Sequence, residues 1–199
     1  AVGIVFALQS IIQAFGYGIG MGCGSLVSRH LGAGDRESAN KYASSAVAAA
    51  AAVGAVICVI GLAATDPMLR LFGSTETILP HARGYARFIL LGAPIMSVSF
   101  TLSNILRSEG HATFSMIGLT VGGLINMALD PLFIFTFGCG VAGAAMATVL
   151  SQFISFTILL CFFLMKKSCI TLSFGSISRK FSDYSLIVRT GLPTVFRQG

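Results

Sequence analysis

Long stretches without charge constrain this chain more than any other feature. Three of them contain no Asp, Glu, Lys or Arg: residues 1–28, 42–65 and 88–106. In a fourth, 112–165, the only charged residue is Asp130. A bilayer core about 30 Å thick is crossed by roughly 20 apolar residues in a helix. The fourth stretch is therefore long enough for two crossings, and each of the others for one.

These stretches predict an all-α, polytopic transmembrane helical bundle. Their length, and the lack of alternation with a period of two residues, favour helices over the strands of a membrane barrel. We place five full spans and the start of a sixth near residue 184, with the full spans near 3–27, 42–64, 85–106, 113–136 and 141–165. In the first span, Gly16, Gly20 and Gly24 recur every four residues and predict close approach of another helix.

The composition agrees with a membrane protein and argues against several other classes. The chain is 55% hydrophobic and 10% charged, whereas soluble domains have roughly 25% charged residues. The chain has a net charge of +6, but its basic residues lie between the apolar runs and form no basic face. We therefore expect no nucleic-acid partner. The five cysteines have no paired spacing. We identify no nucleophile–base pair and no metal-ligand cluster at membrane depth, so we expect neither an enzyme nor a cofactor.

The distribution of basic residues predicts the orientation in the membrane. The loops after spans one, three and five, with the final segment, hold ten Lys and Arg residues, and the opposite side holds three. Cytoplasmic loops carry the excess of positive charge. We therefore expect a multi-pass protein of the plasma (inner) membrane, with loops 28–41, 107–112 and 166–183 in the cytoplasm. The first span then runs inward, which predicts a further helix before residue 1.

A polar segment divides the chain. We interpret 166–183 as a cytoplasmic connector between two lobes, because it is the longest polar stretch. Residues 1–165 would then form part of the amino-terminal lobe, and 184–199 the start of the carboxy-terminal lobe. The first helix and most of the second lobe are expected in the rest of the same polypeptide.

Asp130 is the main candidate functional residue, because a carboxylate at membrane depth is costly without a partner or a role. If spans four and five form a hairpin that turns at 138–140, Asp130 and Thr148 each lie nine residues from Cys139. The same count pairs Asn126 with Gln152. Asp130, Asn126 and Thr148 would then supply carboxylate, amide and hydroxyl oxygens for Na⁺ or a proton.

Other polar and helix-bending residues are weaker candidates. Gln152 and Asn104 could line a cavity, although capping is an equal alternative for Asn104. Pro131 follows the carboxylate and is expected to bend its helix, as Pro94 is in the third span. Gly138 to Gly143 fits the dinucleotide pattern G-x-G-x-x-G, but no acidic residue lies about twenty positions further on. A tight turn explains these glycines better.

Several segments resemble the multidrug and toxic compound extrusion (MATE) transporters. The resemblance runs through Ser28-x-x-Leu31-Gly32-Ala33-Gly34-Asp35, Gly92-Ala93-Pro94 and Arg107-x-Glu109-Gly110. The most specific match is Asn126-x-x-x-Leu129-Asp130-Pro131, leading into Gly140-Val141-Ala142-Gly143-Ala144-Ala145-x-Ala147-Thr148. It covers essentially the whole chain and identifies the five spans as the family's second to sixth helices.

The resemblance implies half of a two-lobe, twelve-helix antiporter that exports organic cations or drugs in exchange for Na⁺ or H⁺. It also implies a cation site at Asn126, Asp130 and Thr148, as the family uses Asn and Asp of the fifth helix and Thr of the sixth. The expected partners are the lipid bilayer and small organic cations. The alternatives are a flippase for lipid-linked saccharides with a related architecture, and a non-coupled channel or scaffold.

Overall fold

The protein is a bundle of long helices. The computed structural model describes residues 2–71, 79–136, 140–165, 168–172, 177–178 and 181–198. The helices are α1 (Val2–Gly32), α2 (Arg36–Ala63), α3 (Thr65–Leu71), α4 (Leu79–Ser108), α5 (Ala112–Pro131), α6 (Gly140–Leu164) and α7 (Phe181–Gln198). A five-residue π-helical segment, Leu132–Thr136, continues α5.

Five of these helices are long and apolar enough to cross a membrane, which confirms the five expected spans. They are Phe6–Gly32, Arg36–Ala63, Ala82–Ser108, Ala112–Thr136 and Ala142–Leu164. The largest differences from the expected bounds lie at the end of α1 and at the starts of α2 and α4, where each helix extends into more polar sequence. Short α3 and the π-helical segment were not predicted. The expected hairpin turn lies largely outside the described residues.

The turn from α1 to α2 has a clear local cause. Gly34 has φ +78°, a left-handed conformation that glycine adopts without steric cost. Asp35 then caps α2, and its side chain accepts a hydrogen bond of 3.0 Å from the Ser38 N–H. Such a cap satisfies one of the free N–H groups at the start of a helix. Hydrogen bonding to the Ser38 side chain, and then to its N–H, lowers the pKa of Asp35 below its ordinary value.

Helix α4 is the central helix of the bundle and packs against α1, α2, α5 and α6. The glycine stripe of α1 lies on it, as predicted: a Cβ added at Gly16 or Gly20 would come within 3.3 Å of α4 backbone atoms. On its other side, α4 meets α2 where Gly54 lies against Pro94. Because α4 is surrounded by these helices, polar side chains in its second half, such as Ser97, Thr101 and Ser103, are buried.

The outer surface of the bundle is apolar. Large side chains such as Met127 and Phe135 are 74% and 81% exposed. Exposed apolar side chains on a helix of this length are typical of a lipid-facing surface. At the end of the span Ala82–Ser108, Arg83 forms a two-bond ion pair with Asp66, with distances of 2.8 and 2.5 Å, which ties α3 to the start of α4.

Candidate functional site

A polar cavity of about 350 Å³ lies between α1, α4, α5 and α6. It lies well within the membrane-spanning parts of α5 and α6. The residues that line it are Gln9, Tyr85, Leu119, Gly122, Gly123, Asn126, Asp130, Ala144, Thr148, Ser151 and Gln152. All three members of the predicted cation site, and Gln152, are therefore brought to one cavity.

Asn126 joins the other two members of this group. Its Nδ2 donates to Asp130 Oδ1 at 3.3 Å and to Thr148 Oγ1 at 3.4 Å. Thr148 uses its own hydroxyl proton in a 2.9 Å bond to the Ala144 carbonyl, so its oxygen remains an acceptor. Because the Asn126 nitrogen makes both contacts, its carbonyl oxygen is the atom of this amide that would bind a cation.

The contacts across the hairpin lie close to the register that the count from the turn predicts. A Cβ added at Gly118 would meet Leu159, and one added at Gly122 would meet Ser155. Asn126, which the count placed opposite Gln152, also reaches Thr148, one helical turn away on α6. A π-helical segment lies between Asp130 and the turn. It begins directly after Pro131, which lacks the backbone N–H that regular helical winding would use. A bend at Pro131 or Pro94 stays a prediction.

Tyr85 is a site residue that the sequence analysis missed. It is 6% exposed and lines the cavity together with Asp130 and Thr148. Tyr85 was the first residue of an expected span, where an aromatic side chain is typical of the membrane interface. Only the packing of α4 against α6 reveals its role. Gln9 on α1 was missed for the same reason.

The two weaker candidates differ in their surroundings. Gln152 lines the cavity, and its buried Oε1 has no hydrogen-bond partner among the described residues. Asn104, in contrast, does not line this cavity. It is 6% exposed in the α1–α4 interface, where it donates to the Phe100 carbonyl at 2.8 Å and packs against Gly20. The close approach of α1 explains why Asn104 is a packing residue.

The chemistry of the cavity suits a small hard cation or a proton. Carboxylate, amide, hydroxyl and phenol oxygens lie together there, and such oxygens are the ligands that hard cations prefer. The cavity is larger than one ion requires, so water or part of an organic molecule would also fit. Within the part of the chain that the structure describes, no Lys or Arg lines it.

Similar proteins give a consistent picture. A model of the MatE family matches residues 1–132. The multidrug export protein MepA of Staphylococcus saprophyticus is 27% identical over 193 residues, which cover 97% of this chain and 43% of that protein. MepA of Staphylococcus aureus strain MRSA252 is 25% identical over the same coverage. The chain thus spans less than half the length of the curated relatives it matches.

Two solved structures share this fold. One is an inward-facing conformation of a multidrug resistance MATE family transporter of the MOP superfamily, 32% identical, with a TM-score of 0.94 over 99% of this chain and 45% of that chain. The other is an outward-facing conformation of such a transporter, also 32% identical, with a TM-score of 0.92 over 99% and 44%. With the family model matching about two thirds of the sequence, the chain belongs to the MatE family, the family of MATE multidrug efflux transporters.

Proposed function

We propose that this chain is part of an antiporter that exports organic cations or drugs in exchange for Na⁺ or H⁺, with Asp130 as the coupling residue. The observation that carries the proposal is the group formed by Asp130, Asn126 and Thr148 in a polar cavity within the membrane spans. The multidrug export function of the MepA relatives supports it. The proposal includes no organic cofactor.

Competition for Asp130 provides the mechanism. An ionised carboxylate in a low-dielectric cavity is costly unless a cation compensates its charge. A proton or Na⁺ at Asp130 would neutralise it, and Asn126 and Thr148 would supply further oxygens to Na⁺. An organic cation and the coupling ion then favour different conformations, because a ligand shifts an equilibrium only by its differential affinity.

The lobe is proposed to move as one body. The near-equal similarity of the chain to an inward-facing and an outward-facing structure supports this, since the helices keep one arrangement in both. We also propose that the protein lies in the plasma membrane with loops 28–41, 107–112 and 166–183 in the cytoplasm. The ten basic residues of those loops and the final segment support that orientation.

Counterflow separates this proposal from its alternatives. The full-length protein in proteoliposomes should drive uphill accumulation of a fluorescent organic cation when an opposing Na⁺ or H⁺ gradient is imposed. An ionophore that dissipates the gradient should abolish the accumulation. Downhill flux alone, insensitive to the ion gradient, would identify a channel instead. A flippase for anionic lipids would need basic groups, and the described residues of the cavity lining include none.

Thr148→Val tests the hydroxyl of the proposed site. Valine keeps the shape of threonine and removes the oxygen that accepts from Asn126 at 3.4 Å. Losing a polar ligand of this kind costs about 1–2 kcal/mol, so the half-saturating concentration of the coupling ion should rise roughly tenfold. Exchange assays at graded ion concentration measure it.

Thr157→Val is the matched control, because Thr157 is also on α6 but is exposed and bonds only the Phe153 carbonyl. It should leave the ion dependence unchanged. Equal ion dependence in both variants would contradict a role for Thr148.

A further inference from the structure

The connector expected between two lobes is attached to the helical bundle. Of its described residues, Ile170 is 1% exposed and Ser178 6%. Ile170 belongs to the same apolar core as residues of α1, α2 and α4. A freely moving linker would bury neither side chain, so these parts of the connector are packed as a component of the bundle.

Glu109, in the turn between α4 and α5, is the first anchor. Its carboxylate accepts bonds from the Ser168 hydroxyl at 2.8 and 2.7 Å and from the Cys169 N–H at 2.8 Å. Burial raises the pKa of Glu109, and the hydrogen bonds from Ser168 and Cys169 oppose that rise. The hydrogen bonds from Ser168 and Cys169 therefore hold the partly buried Glu109 carboxylate in place, and the same bonds attach the connector to the bundle.

Helix α2 provides two more anchors. The Asn40 Oδ1 accepts from the Thr171 N–H at 2.9 Å, and the Ser45 hydroxyl accepts from the Ser178 N–H at 2.8 Å. Both acceptors are side chains of α2, and both donors are backbone N–H groups of the connector, so the connector backbone is bonded to the bundle at two separate points. Together with Glu109, they attach the described parts of the connector to α2 and to the turn between α4 and α5.

The start of α7 is held in the same way. Lys41 Nζ of α2 lies 2.6 Å from Asp183 Oδ2 in the first turn of α7. The Ser178 hydroxyl donates to the same carboxylate oxygen. Asp183 is therefore a junction at which α2, the connector and α7 meet.

A contact between glycines fixes the next turns of α7. A Cβ on Gly191 would lie 2.0 Å from the Gly18 carbonyl oxygen, and a Cβ on Gly22 would lie 2.2 Å from the Ile187 carbonyl oxygen. The backbones of α1 and α7 therefore touch along one helical turn, and Ile187 between them is 1% exposed. Backbone contact of this kind permits almost no sliding without separation of the helices.

We propose that the described parts of the connector and α7 up to Gly191 move with helices α1 to α6 as one mechanical unit. The bonds of Glu109 to Ser168 and Cys169, which we call the latch, hold the connector in this unit. Motion between the lobes then takes place beyond Gly191. The mechanical boundary thus lies later than the boundary expected at residue 184. This inference rests on the proposed function, because it presupposes two lobes that move against each other.

Hydrogen exchange of the full-length protein in nanodiscs tests the latch without reference to transport. In Glu109→Ala, amides of residues 168–172 should exchange at least tenfold faster than in the wild type, because the Cys169 N–H loses its acceptor. Glu109→Gln, which keeps one acceptor oxygen, should lie between the two. Glu37→Ala removes an exposed acidic residue of α2 and is the control. Exchange in 168–172 that is unchanged by Glu109→Ala would overturn the latch, and amides of α5 report whether the fold is intact.

Spin-label distances test the mechanical unit. In a background with Cys58, Cys139, Cys161 and Cys169 replaced by serine, which leaves only the buried Cys23 among the five cysteines of the sequence, labels at Glu37→Cys and Ser185→Cys, both exposed positions, should give one distance that stays within about 2 Å in ion-loaded and drug-loaded protein. A second pair, Glu37→Cys with a site in a later helix, should change. A change in the first pair equal to that in the second would overturn the proposal. If the distance of the second pair also stayed constant while the amides of 168–172 remained protected, the result would support the latch. It would count against alternating access, and so against the proposed function.

Discussion

Asp130→Asn in the full-length protein should reduce ion-driven efflux of a fluorescent organic cation to the level of protein-free liposomes. Asparagine has nearly the shape of aspartate and can still accept the 3.3 Å bond from Asn126, so the fold should survive. It cannot carry the negative charge, however, and therefore cannot exchange a proton or compensate Na⁺. Asp130 is the only charged residue between positions 112 and 165, so α5 and α6 offer no substitute.

A second measurement separates loss of coupling from loss of folding. If the wild-type protein binds Na⁺ at this site, saturating Na⁺ should raise its melting temperature, since a ligand at about 100 times its Kd stabilises by about 2.7 kcal/mol. Asp130→Asn should melt normally without Na⁺ and show no such increase. In a proton-coupled protein, the pH dependence of efflux should disappear instead.

Glu37→Gln, an exposed carboxylate of α2, serves as the matched control and should transport at the wild-type rate. Coupled efflux by Asp130→Asn at the wild-type rate would remove the proposed role of this residue. Downhill flux that persists while uphill flux is lost would agree with it, because substrate passage would then be separated from coupling.

The parts of the structure that depend on local sequence were predictable. Charge-free stretches fix the number of spans, because an apolar helix has to match the bilayer thickness. The grouping of the proposed site residues was also predictable, since Asn126 and Asp130 share a helix face at four-residue spacing and α6 follows α5 directly. Adjacency in the chain brought Thr148 to the same cavity, in a register close to the one that the count from the turn predicts.

The parts that depend on packing between distant helices were not predictable. Tyr85 reaches the cavity only because α4 is the central helix, and Asn104 is excluded from it because Gly20 brings α1 so close. The attachment of the connector has a similar origin. The bonds from Glu109 and Asn40 join residues 59 to 131 positions apart, and nothing in the polar sequence of the connector indicates these partners.

Gly54→Ala should destabilise the protein strongly, although alanine favours helix formation over glycine by about 1 kcal/mol. A Cβ at this position would lie 2.5 Å from Pro94 Cα and 2.9 Å from the Ala93 carbonyl oxygen. Both are backbone atoms of the central helix, so α2 has to move as a whole. Overpacking of this kind typically costs about 1–3 kcal/mol, and at this distance we expect the upper end, which outweighs the gain in helix propensity.

The measurement is the melting temperature of the purified full-length protein in one detergent. Gly54→Ala should melt several degrees below the wild type, and Gly54→Leu should fail to give a monodisperse folded protein. Gly32→Ala is the matched control, because a Cβ at the end of α1 would meet nothing within 4 Å, and it should melt at or slightly above the wild-type temperature. If Gly54→Ala melted as the control does, α2 could not lie against Pro94 as closely as described, and the central place of α4 in the bundle would lose its main support on that side.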